Sequence, residues 1–170
     1  MPKLKSKRGF RYVRELGGAI RRATVSFGAD WLIQNDLVQG RVLDYGCGYG
    51  LDADRFGWNA FDPYYRQQEP TGKFDTIICN HVLNMLTRDS RHRATKRIQG
   101  LLTEVGVAWL IVPRNIPHTG KVAMRKRIQN YVRLELPSVY SDGKREIYRM
   151  DRVARLVDVT EEIENRLAVL

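Results

Sequence analysis

Three glycines on alternate positions follow an acidic residue in Val42-Leu43-Asp44-Tyr45-Gly46-Cys47-Gly48-Tyr49-Gly50. Without a Cβ, the chain there can turn sharply and a ligand can lie against the main chain. Amides exposed by such a turn at the start of a helix suit a carboxylate or a phosphate. A second acid, Asp62, closes the run Trp58-Asn59-Ala60-Phe61, where a carboxylate can accept both hydroxyls of a ribose. These types and spacings are those of a strand–loop–helix–strand unit that holds a nucleoside. The glycine spacing is neither the G-x-G-x-x-G of a dinucleotide loop nor the Gly-Lys-Ser/Thr ending of a phosphate-binding loop. A glycine-rich turn with no ligand is the plain alternative. Asp44 before the turn, Asp62 after it and a later strand ending at Asn80 argue against that alternative.

The run from Val42 to Gly50 resembles the first motif of class I S-adenosylmethionine-dependent methyltransferases. The resemblance implies an α/β, three-layer Rossmann-like fold whose mostly parallel sheet ends in a C-terminal antiparallel hairpin. It implies S-adenosyl-L-methionine as cofactor, with contacts from Asp44, Tyr45, Gly46, Cys47, Gly48, Gly50, Asp62, Pro63, Tyr64 and Asn80. Family members place another helix and strand after the second strand. The segment from Pro63 to Lys73 has no room for both, so the fold is expected to be shortened there. The usual adenine contact is then missing, and Tyr64 or Tyr65 could offer an aromatic face to the base instead. Relatives that methylate amino groups of nucleic-acid bases carry Asp/Asn-Pro-Pro-Tyr/Phe at a later strand end. The matching position here, Asn80-His81-Val82-Leu83, keeps only the first of those residues. Asn80 and His81 are therefore the catalytic candidates, His81 as a general base because imidazole titrates near neutral pH. A histidine that only hydrogen-bonds the cofactor or the main chain is the rival reading. Neither Cys47 nor Cys79 follows a proline, which argues against a cytosine C5 enzyme. The wider order, with Asp52 and Asp54, Gly57-Trp58-Asn59-Ala60-Phe61-Asp62-Pro63-Tyr64 and Val82-Leu83-Asn84, resembles the small methyltransferases associated with DNA phosphorothioation systems.

A net charge of +10 over 170 residues points to a polyanionic partner, a nucleic acid first of all. The charge is clustered. One group runs from Lys3 to Arg22, a second from Arg88 to Arg97, and a third from Lys121 to Arg133. Arg21, Arg22, Arg125 and Lys126 are the candidates for substrate binding. Three functions stay open: methyl transfer to a nucleic acid or other anionic substrate, nucleic-acid binding without turnover, and methylation of a small molecule. Cys47 and Cys79 have no metal-ligand spacing, and His81, His92 and His118 are scattered, so no metal is expected. No apolar run approaches the ~20 residues that span a bilayer. The basic N-terminus lacks the apolar stretch of a signal peptide, so a cytoplasmic location is expected. Oligomeric state cannot be read from the sequence.

The elements that must carry these residues follow from periodicity and breakers. Residues 1–9 read as a flexible basic arm and 10–170 as a single domain. Helices are expected near 10–22 and 25–36, then a strand over Arg41–Tyr45 and a short helix over Asp52–Phe56. Strands are expected over Gly57–Phe61, Phe74–Asn80 and Gly106–Val112, with a helix over Asp89–Glu104 between the last two. That helix shows Ala94, Ile98, Leu101, Leu102 and Val105 as one apolar stripe. Residues 114–129 suggest a loop and a basic helix. Tyr131–Leu136 and Arg145–Met150 suggest a hairpin around Asp142-Gly143, and 152–170 a final helix.

Overall fold

A computed structural model describes residues 18–123 and 127–160. Its centre is a six-stranded sheet in the order β2-β1-β3-β4-β8-β7. Strands β1 (Val42–Tyr45), β2 (Asn59–Phe61), β3 (Phe74–Asn80) and β4 (Leu102–Pro113) run parallel. The last pair, β7 (Ser138–Ser141) and β8 (Arg145–Asp151), closes the sheet antiparallel against β4. Apolar side chains occupy both faces of the inner strands, as a parallel sheet covered on two sides requires.

One face carries α1 (Phe27–Gln34), whose Leu32 packs with Val42, Ile78, Trp109, Ile111 and Ile147. The other carries α3 (Arg88–Leu101), whose Ile98 packs with Leu43, Ile77, Cys79 and Leu110. Burying each such large apolar side chain contributes ~1.5–3 kcal/mol relative to exposure. Both helices start at a hydroxyl cap: Ser26 accepts from the Ala29 amide and Thr87 from the Ser90 amide. The short helix α2 (Leu51–Phe56) joins β1 to β2. No described helix is long and apolar enough to cross a membrane.

Several elements differ from the sequence expectation. Residues 18–22 are not helical, and the remainder of the expected 10–22 helix, with the 1–9 arm, lies outside the described residues. Helix α3 stops at Leu101 and β4 starts at Leu102, so Val105 leaves the apolar stripe and is 88% exposed. The pairing of β4 with β3 takes precedence over helical periodicity there, with a register irregularity opposite Phe74 to Thr76. Instead of a basic helix, β5 (Lys121–Ala123) and β6 (Arg127–Gln129) form a separate antiparallel ribbon. The hairpin turn falls at Asp142-Gly143 as expected, and Asp142 accepts from the Lys144 and Arg145 amides. Its first strand is Ser138–Ser141, not Tyr131–Leu136, because Val132 and Leu134 are buried under the α3 face instead. Residues 152–160 form no helix, and 161–170 are outside the described residues.

The segment after β2 is short. Asp62 pairs with Arg66 in a tight turn, and the chain then enters β3 without adding a strand outside β2. Expected shortening and observed topology agree.

Candidate functional site

The parallel strands bring their carboxyl ends to one edge, where Asp44, the glycine turn, Asp62, Asn80 and His81 collect. Such an edge is where open α/β sheets hold ligands. The turn is tied to β2: the Gly46 and Cys47 amides donate to the Phe61 carbonyl at 2.7 and 3.0 Å. Gly46 and Gly48 have φ of 77° and 58°, in the left-handed region that favours glycine. Both are also closely covered. A Cβ on Gly46 would collide with Val82, and one on Gly48 would lie 2.7 Å from the Ala19 Cβ.

Asp62 is buried and holds this turn in place. Its Oδ2 accepts from the Gly48 amide at 3.0 Å, and its Oδ1 from the Tyr64 and Tyr65 amides at 2.8 and 3.1 Å. A carboxylate has about four acceptor positions, so about one remains for a ribose hydroxyl. Most of this group is therefore spent on the main chain, which the sequence did not reveal.

Asp44 differs. It is 4% exposed, and no described residue donates a hydrogen bond to its carboxyl. Burial pushes its pKa from 3.8 up to about 7; Asp52 and Asp62 add to the rise and Arg22 opposes it. Desolvation disfavours the charged form, and two further carboxylates repel it. Asp52 is buried as well, but it accepts both Arg22 guanidinium nitrogens at 3.1 Å and the Ser26 amide at 2.8 Å. Arg22, expected to bind substrate, is thus bound to Asp52 and pins the 18–26 segment over the turn. Arg21, its neighbour, lies 4.3 Å over the Tyr49 ring. Arg125 and Lys126 lie outside the described residues.

The other expected contacts divide. Tyr45 turns its ring into the core against Phe61 at 5.3 Å, so only its main chain reaches the turn. Pro63 and Tyr64 are exposed beside Asp62, and the Tyr65 ring lies 4.5 Å from that of Tyr49. Burial, then Asp44 and Asp62, pushes the Cys47 thiol up to about 12. Burial likewise raises Cys79, with Asp44 adding to it. Both shifts disfavour the thiolate, which argues against either cysteine as a nucleophile. Among the described residues no His, Cys, Asp and Glu group is arranged to hold a metal ion.

At the end of β3, His81 takes a φ of 55°, and its amide donates to the Ile111 carbonyl at 2.9 Å. A non-glycine residue in that region stores strain of order 1 kcal/mol, which is concentrated at functional positions. The imidazole is exposed at the edge. Desolvation by the surrounding protein lowers its pKa, with the Arg145 and Arg22 charges acting in the same direction. It is therefore neutral at pH 7 and able to accept a proton. Asn80 stands beside it under the start of α1, where a Cβ on Gly28 would lie 3.6 Å from the Asn80 Oδ1.

The basic cluster on α3 is largely consumed within the fold. Arg91 is buried and paired with Asp158 at 2.7 Å, Arg97 pairs with Glu69 and lies over Phe61, and Arg88 donates to the Thr160 carbonyl. Sequence reasoning passed over Arg145, which only the β4–β8 register carries to the edge, opposite Pro113.

A family model described as a methyltransferase domain matches residues 12–157. Among solved structures, 1,6-didemethyltoxoflavin-N1-methyltransferase from Burkholderia thailandensis, with bound 1,6-didemethyltoxoflavin and S-adenosylhomocysteine, superposes with a TM-score of 0.52. It is 15% identical over 71% of this chain and 74% of that one, a likeness of fold. Magnesium protoporphyrin IX methyltransferase from Synechocystis PCC 6803, with bound SAM, gives a TM-score of 0.45 at 16% identity over 72% of this chain and 74% of that one. The N-methyltransferase NodS from Bradyrhizobium japonicum WM9, in complex with S-adenosyl-L-homocysteine, gives 0.46 at 11% identity over 75% and 86%. No curated protein matches this chain in sequence.

Proposed function

Because this chain belongs to the methyltransferase-domain family, we propose that it transfers a methyl group from S-adenosylmethionine to an anionic acceptor, a nucleic acid being the first to test. The observation that carries the site assignment is Asp44: a buried carboxyl with no described hydrogen-bond donor, beside a glycine turn on the sheet edge that also holds His81. A buried acid left without a partner is costly, and a cationic ligand relieves that cost. The residues fit the cofactor's amino-acid end: Asp44 would hold its ammonium group, and the Gly46–Gly50 turn would give the close main-chain approach that end needs. Asp62 retains about one acceptor position for the ribose. When bound, the cofactor supplies a sulfonium-activated methyl whose leaving group departs neutral, so the protein's task is alignment and proton management.

His81 then serves as the base that removes a proton from the acceptor, and Asn80 as the amide that orients it. Support for an anionic acceptor comes from the net charge of +10 and from Arg145 near His81. Calorimetry with S-adenosylmethionine tests the first part: saturable binding is expected, and its absence refutes the assignment. Methyl-tritiated cofactor offered with DNA, RNA and a metabolite extract tests the second. Label in an anionic acceptor is expected; label confined to neutral molecules refutes it.

Asp62's engagement with the loop favours one other reading, a nucleic-acid-binding module without turnover. Its signature is salt-sensitive DNA or RNA binding with no label incorporated.

A further inference from the structure

Arg145 opens β8 directly opposite Pro113, the last residue of β4, while His81 donates its amide to Ile111 two positions earlier on the same strand. Three strands therefore bring Arg145 and His81 to one stretch of edge. The Arg145 guanidinium lies 3.9 Å over the centroid of the Phe27 ring. Phe27 is 41% exposed and is braced by Tyr140 at 5.5 Å, which packs on Trp31 at 5.0 Å. The next residue, Gly28, abuts Ile111 and the Asn80 amide, so this arginine-on-aromatic shelf borders the catalytic candidates.

The neighbouring arginines are committed elsewhere. Arg22 is paired with Asp52, and Arg114 with Glu146 and the Tyr148 hydroxyl. Arg145 makes no ion pair and no side-chain hydrogen bond with any described residue. The guanidinium carbon sits over the ring face, and an arginine's planar N–H fork matches the two oxygens of a carboxylate or phosphate. Folding thus braces a cation on an aromatic ring, with no hydrogen-bond partner for its side chain among the described residues.

We propose that Arg145, held on Phe27, binds the anionic group of the methyl acceptor and selects which molecules reach Asn80 and His81. This inference rests on the methyltransferase reading above and adds to it the residue that reads the substrate's charge. A carboxylate and a phosphate present the same chemistry to the fork, and the two probes below separate them.

The test is an NMR titration of wild type, Arg145→Met and Arg145→Lys with inorganic phosphate and, separately, with acetate, following the His81 ring in all three and the Arg145 Nε–H in wild type. Calorimetry with S-adenosylmethionine accompanies each protein. In wild type, saturable shifts are expected at both groups. Arg145→Met should weaken anion affinity about tenfold or more, as loss of a charge-assisted bidentate contact requires, while cofactor affinity stays unchanged. The lysine variant should recover only part of the loss, because its point charge lacks the planar fork. Tighter phosphate binding assigns a nucleotide-like acceptor, and tighter acetate binding a carboxylate. Phe27→Leu, which removes the shelf and keeps the arginine, should weaken anion binding in the same direction and serves if Arg145→Met fails to fold. Wild type without a saturable shift, or a folded Arg145→Met protein with wild-type anion affinity, overturns the proposal. Anion binding at Arg145 in a protein that does not bind S-adenosylmethionine leaves the anion site standing, and defeats the methyltransferase reading and with it the assignment of that anion to a methyl acceptor.

Discussion

Replacing Asp44 by Asn removes a charge at nearly constant volume, and its effect should depend on pH in one direction only. Burial and the neighbouring carboxylates raise the folded-state pKa from 3.8 to about 7. A raised carboxyl pKa means that the folded protein binds a proton the unfolded chain has released. Folding stability is then fullest below the unfolded value, declines as pH rises toward the folded value, and is level above it. A shift of about three units corresponds to about 4 kcal/mol, an upper figure because partial relaxation lowers it. Asp44→Asn has no such penalty. Its stability relative to wild type should rise from near parity at about pH 4 to an advantage of about 2–4 kcal/mol above about pH 7. Urea unfolding of both proteins across that range, without cofactor, measures the gap, and taking the difference cancels the titrating groups that are not coupled to Asp44. Cofactor binding should reverse the balance. A cationic ammonium stabilises the ionised acid, so wild-type affinity should tighten toward tenfold per pH unit below about 7 and then level off, while the variant shows neither slope nor tight binding. A gap that does not change with pH would mean that Asp44 is already ionised and paired, and the site assignment would fail with it.

Gly48→Ala should cost about 1–2 kcal/mol, since a side chain at φ 58° is strained and its Cβ would sit 2.7 Å from Ala19. Thermal denaturation should show this against Gly143→Ala, where a Cβ would meet nothing within 4 Å, and calorimetry should show weakened cofactor binding in the first variant only. His81→Asn keeps a residue that tolerates positive φ and removes the base. Turnover should fall about 10²–10⁴-fold with cofactor affinity unchanged. The acid limb of the wild-type rate profile should lie below pH 6.5, because the imidazole's surroundings and the nearby arginines favour its neutral form. An unaltered rate in this variant would assign His81 to structure alone.

Local rules made much of this protein legible from the chain alone. The glycine turn, the strands around it, the α3 start and the Asp142-Gly143 turn depend on neighbours a few residues apart, and periodicity and turn chemistry report those directly. The shortened segment after Asp62 was a matter of counting residues. What failed was pairing: whether residues near 103–105 extend a helix or a strand, and whether 121–123 and 127–129 belong to a basic helix or to a ribbon, is settled by the partner strand and not by the local pattern.

The sequence by itself determined that a glycine turn would sit between two acids at the mouth of a parallel sheet, because steric freedom and strand periodicity are properties of short segments. Only the tertiary structure decided what each charge does. Asp62 is bound to the Gly48 amide, Asp44 has no hydrogen-bond donor among the described residues, Arg22 is given to Asp52, and Arg145 is carried to the edge that holds His81 by the β4–β8 register. A carboxylate's or guanidinium's role depends on which groups approach within about 3 Å, and those groups come from parts of the chain far away in sequence.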